Sequence, residues 1–347
     1  MASLSQKIRG QGESKGKMKK VGIVYFKNSG NIGDDVQTLA MYDLVRRIQP
    51  DVDIKWVDRE SLDGPEVNEL DGLIVNGWFM DHPENWPPNN SNVLVVSMHI
   101  NSQNGASRLM QREELNSFYK LHEPIGCRDG GTAKRFQSLG VEAYFSGCAT
   151  LTLQASGSSN RNVPGEVLAI DPFYKVVNTT AYQKWRLSQI LSKEEWARCS
   201  LISNDWPLLN ESSQAQRLLD ARAYLERIAA AECVITSRIH AALPALAVGT
   251  PVYFVDAGYD RSPAHRDRFE GIVDLFNVIK GDHFRFIGRK RSGKLLRWIK
   301  VDRLLDRQNR AHVWEEAKQN RKEGAQPEVL DIQKNIEGAV RTFLTSL

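Results

Sequence analysis

The sequence predicts an α/β protein made of two Rossmann-like domains in series, their parallel sheets facing a central cleft. Three observations predict it. Apolar strand-type runs alternate with helical patterns along most of the chain, the signature of parallel sheets with right-handed crossovers. The clearest runs, LIV before Asn76 and VLVV before Ser97, are continuously apolar, as in central strands covered on both faces. The chain has 347 residues, and at about 100–200 residues per domain that makes two full cores.

The elements follow in order. Residues 1–18 are basic and polar without apolar periodicity and read as a flexible arm. Val21–Phe26 is a strand-type run, and KNSGNIGDD after it is a Gly-rich turn. A helical face of Val36, Leu39, Ala40, Leu44 and Ile48 comes next and stops at Pro50. Strands are expected at Ile54–Val57, Gly72–Val75, Val93–Met98 and Ile125–Cys127, a helix over Thr132–Leu139 ended by Gly140, and strand again over 141–153. Gln154–Pro164, rich in Ser, Asn and Gly, reads as the domain boundary, which gives an N-terminal domain over 19–158 and a C-terminal one over 159–347. The second series has strands at Val167–Ile170, Ser200–Ser203, Val234–Thr236 and Val252–Val255. A helix over Ser213–Glu232 shows Leu218, Ala221, Leu225 and Ile228 on one face. Another begins near Arg238, with Ser237 as its N-cap and Pro244 expected to kink or delay it. An amphipathic helix over Val329–Leu347 closes the chain and is able to pack back on the first domain.

Composition narrows the function. Hydrophobic residues are 41% and charged residues 25%, which excludes a fibrous or mainly disordered chain. The longest apolar stretch, Ala241–Val255, is interrupted by Pro244, Gly249 and Pro251 and falls short of the roughly 20 residues a membrane span needs. The start lacks the apolar core of a secretory signal. Cys127, Cys148, Cys199 and Cys233 form no CxxC, so neither a zinc site nor a disulfide framework is expected, in keeping with a reducing cytoplasm. No HExxH, GxSxG or Walker loop is present. The net charge of +4 is uneven: residues 1–20 carry +5 and residues 280–303 carry +7, which leaves −8 on the remainder. The second basic segment interleaves Phe284, Phe286 and Trp298 with its cations. It reads either as a solvated face or as a patch for anionic surfaces. No recognition motif accompanies it, so nucleic acid is not an expected partner.

Ligands of parallel sheets bind beyond the carboxyl ends of the strands, so the polar residues that follow each apolar run are the candidates. After the first strand, Gly30 and Gly33 precede a helix start with Asn31, Asp34 and Asp35. This is either a plain tight turn or a place where Asn31 and Asp34 bond sugar hydroxyls. Asn76 ends the third strand. His99 follows the fourth and has either a buried structural role or a place in the cleft. Arg128 and Asp129 follow the fifth, as a salt-bridged turn or as an anion fork. Ser237, Arg238 and His240 stand at a helix start, where two potential cations oppose the dipole unless an anion compensates. The alternative is a core histidine beside an interdomain ion pair. Arg128 and Arg238 together offer two planar forks for carboxylate or phosphate.

These segments, GNIGDDVQTLA, CRDGGTAKRFQSLG, YFSGCATLTL and ITSRIHAALPALAVGTPV, resemble in the same order the motifs of the polysaccharide pyruvyl transferase family, over roughly Lys20–Val255. The resemblance implies a GT-B-like pair of Rossmann-like domains. The implied reaction moves pyruvate from phosphoenolpyruvate to two hydroxyls of a saccharide as a cyclic ketal, in exopolysaccharide or cell-wall glycan synthesis. It implies His240 as the general acid/base and Arg128 and Arg238 as donor ligands; beside them the strand-end residues place Ser237 on the donor side and Asn31, Gly33, Asp34, Asn76 and His99 on the acceptor side. Phosphoenolpyruvate is then a co-substrate, with no cofactor and no metal. A lipid-linked acceptor would bring the basic segment 280–303 to the inner membrane face of the cytoplasm. The chain departs from the family pattern at Asn76-Gly77-Trp78-Phe79, where many members carry a Gly-rich run, and at Gly147-Cys148, where many carry Pro-Asp. Two other functions remain open from the residues: a nucleotide-sugar glycosyltransferase of the same architecture, and a non-catalytic saccharide- or phosphate-binding protein.

Overall fold

The structure, a computed structural model, describes residues 18–79, 85–100, 113–155, 164–173, 179–207, 212–256, 267–280, 312–319 and 326–347. The basic arm, most of the boundary segment 154–164 and nearly all of the basic segment 280–303 lie outside them.

The first half builds β1 (Lys20–Tyr25), α1 (Ile32–Ile48), β2 (Asp53–Asp58), α2 (Pro65–Asn68), β3 (Gly72–Phe79), β4 (Val93–Ile100), α3 (Glu113–Leu121), β5 (Ile125–Cys127), α4 (Gly130–Ser138) and β6 (Ala143–Phe145). Its sheet has six strands in the order β2-β1-β3-β4-β5-β6, all parallel. The second half builds β7 (Val167–Ile170), α5 (Thr180–Ile190), α6 (Lys193–Ala197), β8 (Cys199–Ile202), α7 (Gln214–Ala230), β9 (Cys233–Thr236), α8 (Ile239–Ala247), β10 (Val252–Asp256), β11 (Asn277–Lys280), α9 (312–319) and α10 (Pro327–Ser346). Its sheet is β11-β10-β9-β7-β8, also parallel. In both sheets the strand order reverses beside the first strand, between β1 and β3 and between β7 and β9. Ligands of open parallel sheets bind at such switch points.

The sequence places these elements for physical reasons. Asn31 caps α1, Asp34 and Asp35 sit in its first turn, and Arg46 and Arg47 sit in its last, each sign matched to the helix dipole. Helix α1 buries residues on every side because it lies between the first sheet and the second half. Val21, Ile23, Ile74 and Val96 join Val36, Leu39, Leu225, Leu243 and Phe254 in one central core. An outer core under β3, β4 and α3 holds Val75, Val95, Met98 and Tyr119, and another under β7 and β9 holds Val167, Ile235 and Trp314. The C-terminal helix α10 lies against the first half: Gly72 has Leu347 and Phe343 above it, and Gln333 donates to the Leu151 carbonyl at 2.7 Å.

Polar contacts fix the halves to each other. Ile32 N donates to the Asn204 carbonyl at 2.9 Å, and Arg222 pairs with Asp43 at 2.6 Å. Arg217 of α7 reaches Asp35 of α1 with two bonds, at 2.8 and 3.0 Å. Two expectations are corrected. The strand expected over 141–153 ends at Phe145: Gly147 turns the chain at φ +71 against Ile332, and Ala149–Thr152 forms a 3₁₀ turn. Ser237 is not the N-cap of α8. Arg238 holds that position, and the Ser237 hydroxyl donates to the Asp171 carbonyl at 2.6 Å. No described helix is long and apolar enough to cross a membrane.

Candidate active site

The carboxyl ends of β1, β3, β4 and β5 meet the start of α8 across the two halves. Side chains alternate along a strand, so each polar residue can be assigned to a face. Val75, Met98, Ile100 and Cys127 belong to the outer core, whereas Ile74 and Val96 belong to the central one. Asn76, His99 and Arg128 therefore point to the central side, toward α1 and α8. Ser97 lies beside them in a bulge. Between the pairs Val75–Val95 and Gly77–Met98 the strand β4 has one residue more than β3, and Ser97 adopts φ +58.

His240 sits in the first turn of α8 and is 9% exposed. Its position depends on two neighbours in sequence or space. A Cβ on Gly33 would lie 2.7 Å from the His240 Cβ, so only glycine lets the first turn of α1 come this close. Pro244 stands four residues after His240. Its ring collides with the carbonyl a helix would place there, and His240 is the residue that leaves helical geometry (φ −82, ψ 16). The kink expected from Pro244 thus falls on the imidazole-bearing residue.

Around that imidazole the charges are positive. Nε2 lies 3.5 Å from Arg128 Nη1, and Nδ1 lies 3.4 Å from Gln37 Nε2. Both neighbours are donors, and a neutral imidazole accepts at one nitrogen only. Burial, and then Arg128 and Arg268, push His240 well below the usual histidine range. Gln37 also donates to Asp34 Oδ1 at 3.2 Å, and Ser29 donates to Asp34 Oδ2 at 2.5 Å. Burial raises the Asp34 carboxyl despite that hydroxyl.

A second histidine lies alongside. His99 Nδ1 is 2.6 Å from Asp129 Oδ2, and Asp129 Oδ1 accepts from Thr132 N and Oγ1 at 2.9 Å each. Burial and then Arg128 lower His99 to about 4, so the imidazole is neutral and its Nδ1–H donates to a carboxylate. Burial pushes Asp129 upward, but His99, Arg128 and the Thr132 amide outweigh it and hold the carboxyl below its usual range. Nε2 of His99 is left as an acceptor.

The structure brings together His240, Arg128, His99, Asp34 and Gly33, with Asn76 on the same sheet face. It gives other partners to the rest. Asn31 accepts from Gly33 N at 3.0 Å as a helix cap. Arg238 donates to Asp171 at 2.9 Å and to Asp205 at 2.8 Å, so its fork rests on two carboxylates of the second half. Sequence reasoning missed Gln37, Ser97, Arg268 and the pairing of Asp129 with His99. Gln37 had a signal, one turn after Gly33 on the same helix face. Ser97 had a weaker one, a polar residue ending an apolar run. Among the described residues no cluster of three His, Cys, Asp or Glu side chains is placed to hold a metal.

Comparison with known proteins adds a family. The model of the polysaccharide pyruvyl transferase family matches residues 31–259, about two thirds of the chain, which takes in the ends of β3, β4 and β5 and the start of α8. Two solved structures are similar at low identity. A Klebsiella pneumoniae protein of uncharacterized function is 17% identical, covers 74% of this chain and 92% of its own, and has a TM-score of 0.46. The Escherichia coli heptosyltransferase WaaC, solved with ADP-2-deoxy-2-fluoro heptose, is 14% identical, covers 82% and 99%, and has a TM-score of 0.30. No curated protein matches the chain.

Proposed function

Because the chain belongs to the polysaccharide pyruvyl transferase family, we propose that it transfers the pyruvyl group of phosphoenolpyruvate to two hydroxyls of a saccharide, forming a cyclic ketal in a GT-B-like cleft. One observation carries the reading: a buried imidazole from one half lies 3.5 Å from a buried guanidinium of the other. A proton donor beside a cation suits an enol phosphate, whose carbon must be protonated while its negative groups are held.

The chemistry follows from the groups present. Donor binding places negative charge on Arg128, which draws the fork away from His240 and favours the imidazolium. His240 then gives its proton to the methylene carbon, and positive charge develops at the central carbon. An acceptor hydroxyl attacks that carbon while the Nε2 of His99, oriented by Asp129, receives the hydroxyl hydrogen bond. Phosphate departs, and the second hydroxyl closes the ring. Of the two hydroxyl protons released, one restores the proton lent to the methyl group and the other leaves with phosphate. Asp34 and Asn76 serve the acceptor hydroxyls. Arg238 reaches the donor only if it is released from the half-exposed Asp205, and Ser237 only if its hydroxyl leaves the Asp171 carbonyl.

The test is phosphate release from phosphoenolpyruvate, screened over saccharide acceptors. Wild type is expected to turn over without nucleotide, and His240→Gln to lose at least a hundredfold in kcat while still binding donor. Protection against melting by nucleotides, with no phosphate release, supports a glycosyltransferase and overturns the reading.

A further inference from the structure

Asn76, Ser97 and Arg128 are each only 1% exposed. Yet both amide atoms of Asn76, the Ser97 hydroxyl, and Nε and Nη2 of Arg128 have no hydrogen-bond partner among the described residues. Asp129 Oδ2 is 3.8 Å from Arg128 Nε, too far for a bond. Buried polar groups are nearly always paired, and five unpaired atoms at adjacent strand ends need a reason. The bulge adds a second oddity: Ser97 takes a positive φ that residues with a side chain rarely adopt.

The open atoms have a defined shape. Nε–H and Nη2–H form the side edge of the guanidinium, two parallel donors that match the two oxygens of a planar carboxylate. A carboxylate has about four lone-pair sites. The Arg128 edge would fill two, leaving two for one N–H of the Asn76 amide and the Ser97 O–H.

We propose that Asn76, Ser97 and the side edge of Arg128 form a carboxylate-binding niche, which holds the carboxylate of the donor while its phosphate lies toward the cleft mouth. The assignment rests on the pyruvyl-transfer reading for the donor's identity, but the niche itself rests on the unpaired atoms. Of the donor's two anionic groups, the carboxylate stays with the transferred fragment and the phosphate departs. These three side chains are buried, and a buried position suits the group that stays. The oxygen of the Asn76 amide remains as an acceptor for a ligand hydroxyl.

The experiment uses the full chain with oxalate, pyruvate and inorganic phosphate as separate probes, read by calorimetry and thermal melting. Oxalate and pyruvate are expected to bind saturably. Ser97→Ala and Asn76→Leu are expected to weaken both at least tenfold, to change phosphate affinity less than twofold, and to leave the ligand-free Tm unchanged or higher. Ser97→Gly keeps the backbone conformation and removes the hydroxyl, so it tests the contact even where Ser97→Ala folds poorly. Loss of phosphate binding with carboxylate binding intact overturns the proposal, as does a lower Tm with all affinities intact. Carboxylate binding without turnover of phosphoenolpyruvate leaves the niche standing and removes pyruvyl transfer. Turnover with an unchanged KM for phosphoenolpyruvate in Ser97→Gly removes the niche alone.

Discussion

Two buried arginines face α1 from opposite halves, and their surroundings differ completely. Arg217 donates twice to Asp35 and also to the carbonyls of Phe26, Lys27 and Ser29, at 2.9, 3.3 and 3.0 Å. Arg128 is equally buried but leaves its side edge open. The first guanidinium is saturated by the chain itself and fixes α7 onto the turn that precedes α1. The second is held in place without being saturated, so its charge remains available. Burial alone therefore does not separate a structural cation from a ligand-binding one. The count of satisfied donors does.

The largest expected effects come from removing each guanidinium. Arg217→Met strands the Asp35 carboxylate in the interface and is expected to cost about 3–5 kcal/mol in urea unfolding. Adding Asp35→Leu should recover most of that loss, since no lone charge remains. Arg128→Met removes two unpaired donors and leaves Asp129 bonded to His99 and Thr132, so ligand-free stability should stay within about 1 kcal/mol. Turnover, by contrast, should fall at least a hundredfold. Equal destabilisation by both single variants would break the contrast.

A smaller effect sharpens it through pH. His240 and His99 are held neutral in the fold by burial and by Arg128, whereas the unfolded chain protonates them near 6.5. Between that pH and the folded values the unfolded state binds more protons, so each histidine makes stability fall as pH drops, by about 1.4 kcal/mol per unit. Asp35 acts with the opposite sign. Burial lifts it to about 7 against the pull of Arg217, so the folded state binds the extra proton below that pH. Comparing wild type with His240→Gln isolates the histidine: the variant should gain on wild type as pH falls from 7 to 5. Saturating oxalate should shrink that gain, because an anion on Arg128 removes part of what keeps His240 neutral. A gain unaffected by oxalate would show that burial alone sets the histidine.

Much of this arrangement is legible in the sequence, and the boundary has a physical basis. Apolar runs announce strands because parallel strands are buried on both faces, and the polar residue that ends each run marks the cleft. Arg128 and His240 are found this way. Who pairs with whom is not legible. Arg217 meets Asp35 across 182 positions, and Arg238 meets Asp171 across 67, so Arg128 and Arg238, alike as forks in the sequence, have opposite fates: one edge open, the other held by carboxylates. The bulge at Ser97 is also hidden, because it depends on β4 carrying one residue more than its neighbour, a property of the pair of strands.

Pro244 gives the smallest expected change in stability and the finest test of the site. A proline in a helix interior normally costs about 3 kcal/mol, but that cost arises from a lost bond and a ring clash, and here the chain has already yielded at His240. Pro244→Ala should therefore raise stability by no more than about 1 kcal/mol, since the chain can regain one helical bond while the first turn stays pressed against Gly33. The same regain rotates His240 toward helical geometry and moves Nε2 relative to Arg128. Expected is a roughly tenfold fall in kcat with KM for phosphoenolpyruvate nearly unchanged, because Arg128 and its open edge stay on the first sheet. A variant that is more stable and fully active would mean that the kink serves packing only. The imidazole would then tolerate a displacement that a proton transfer to carbon does not.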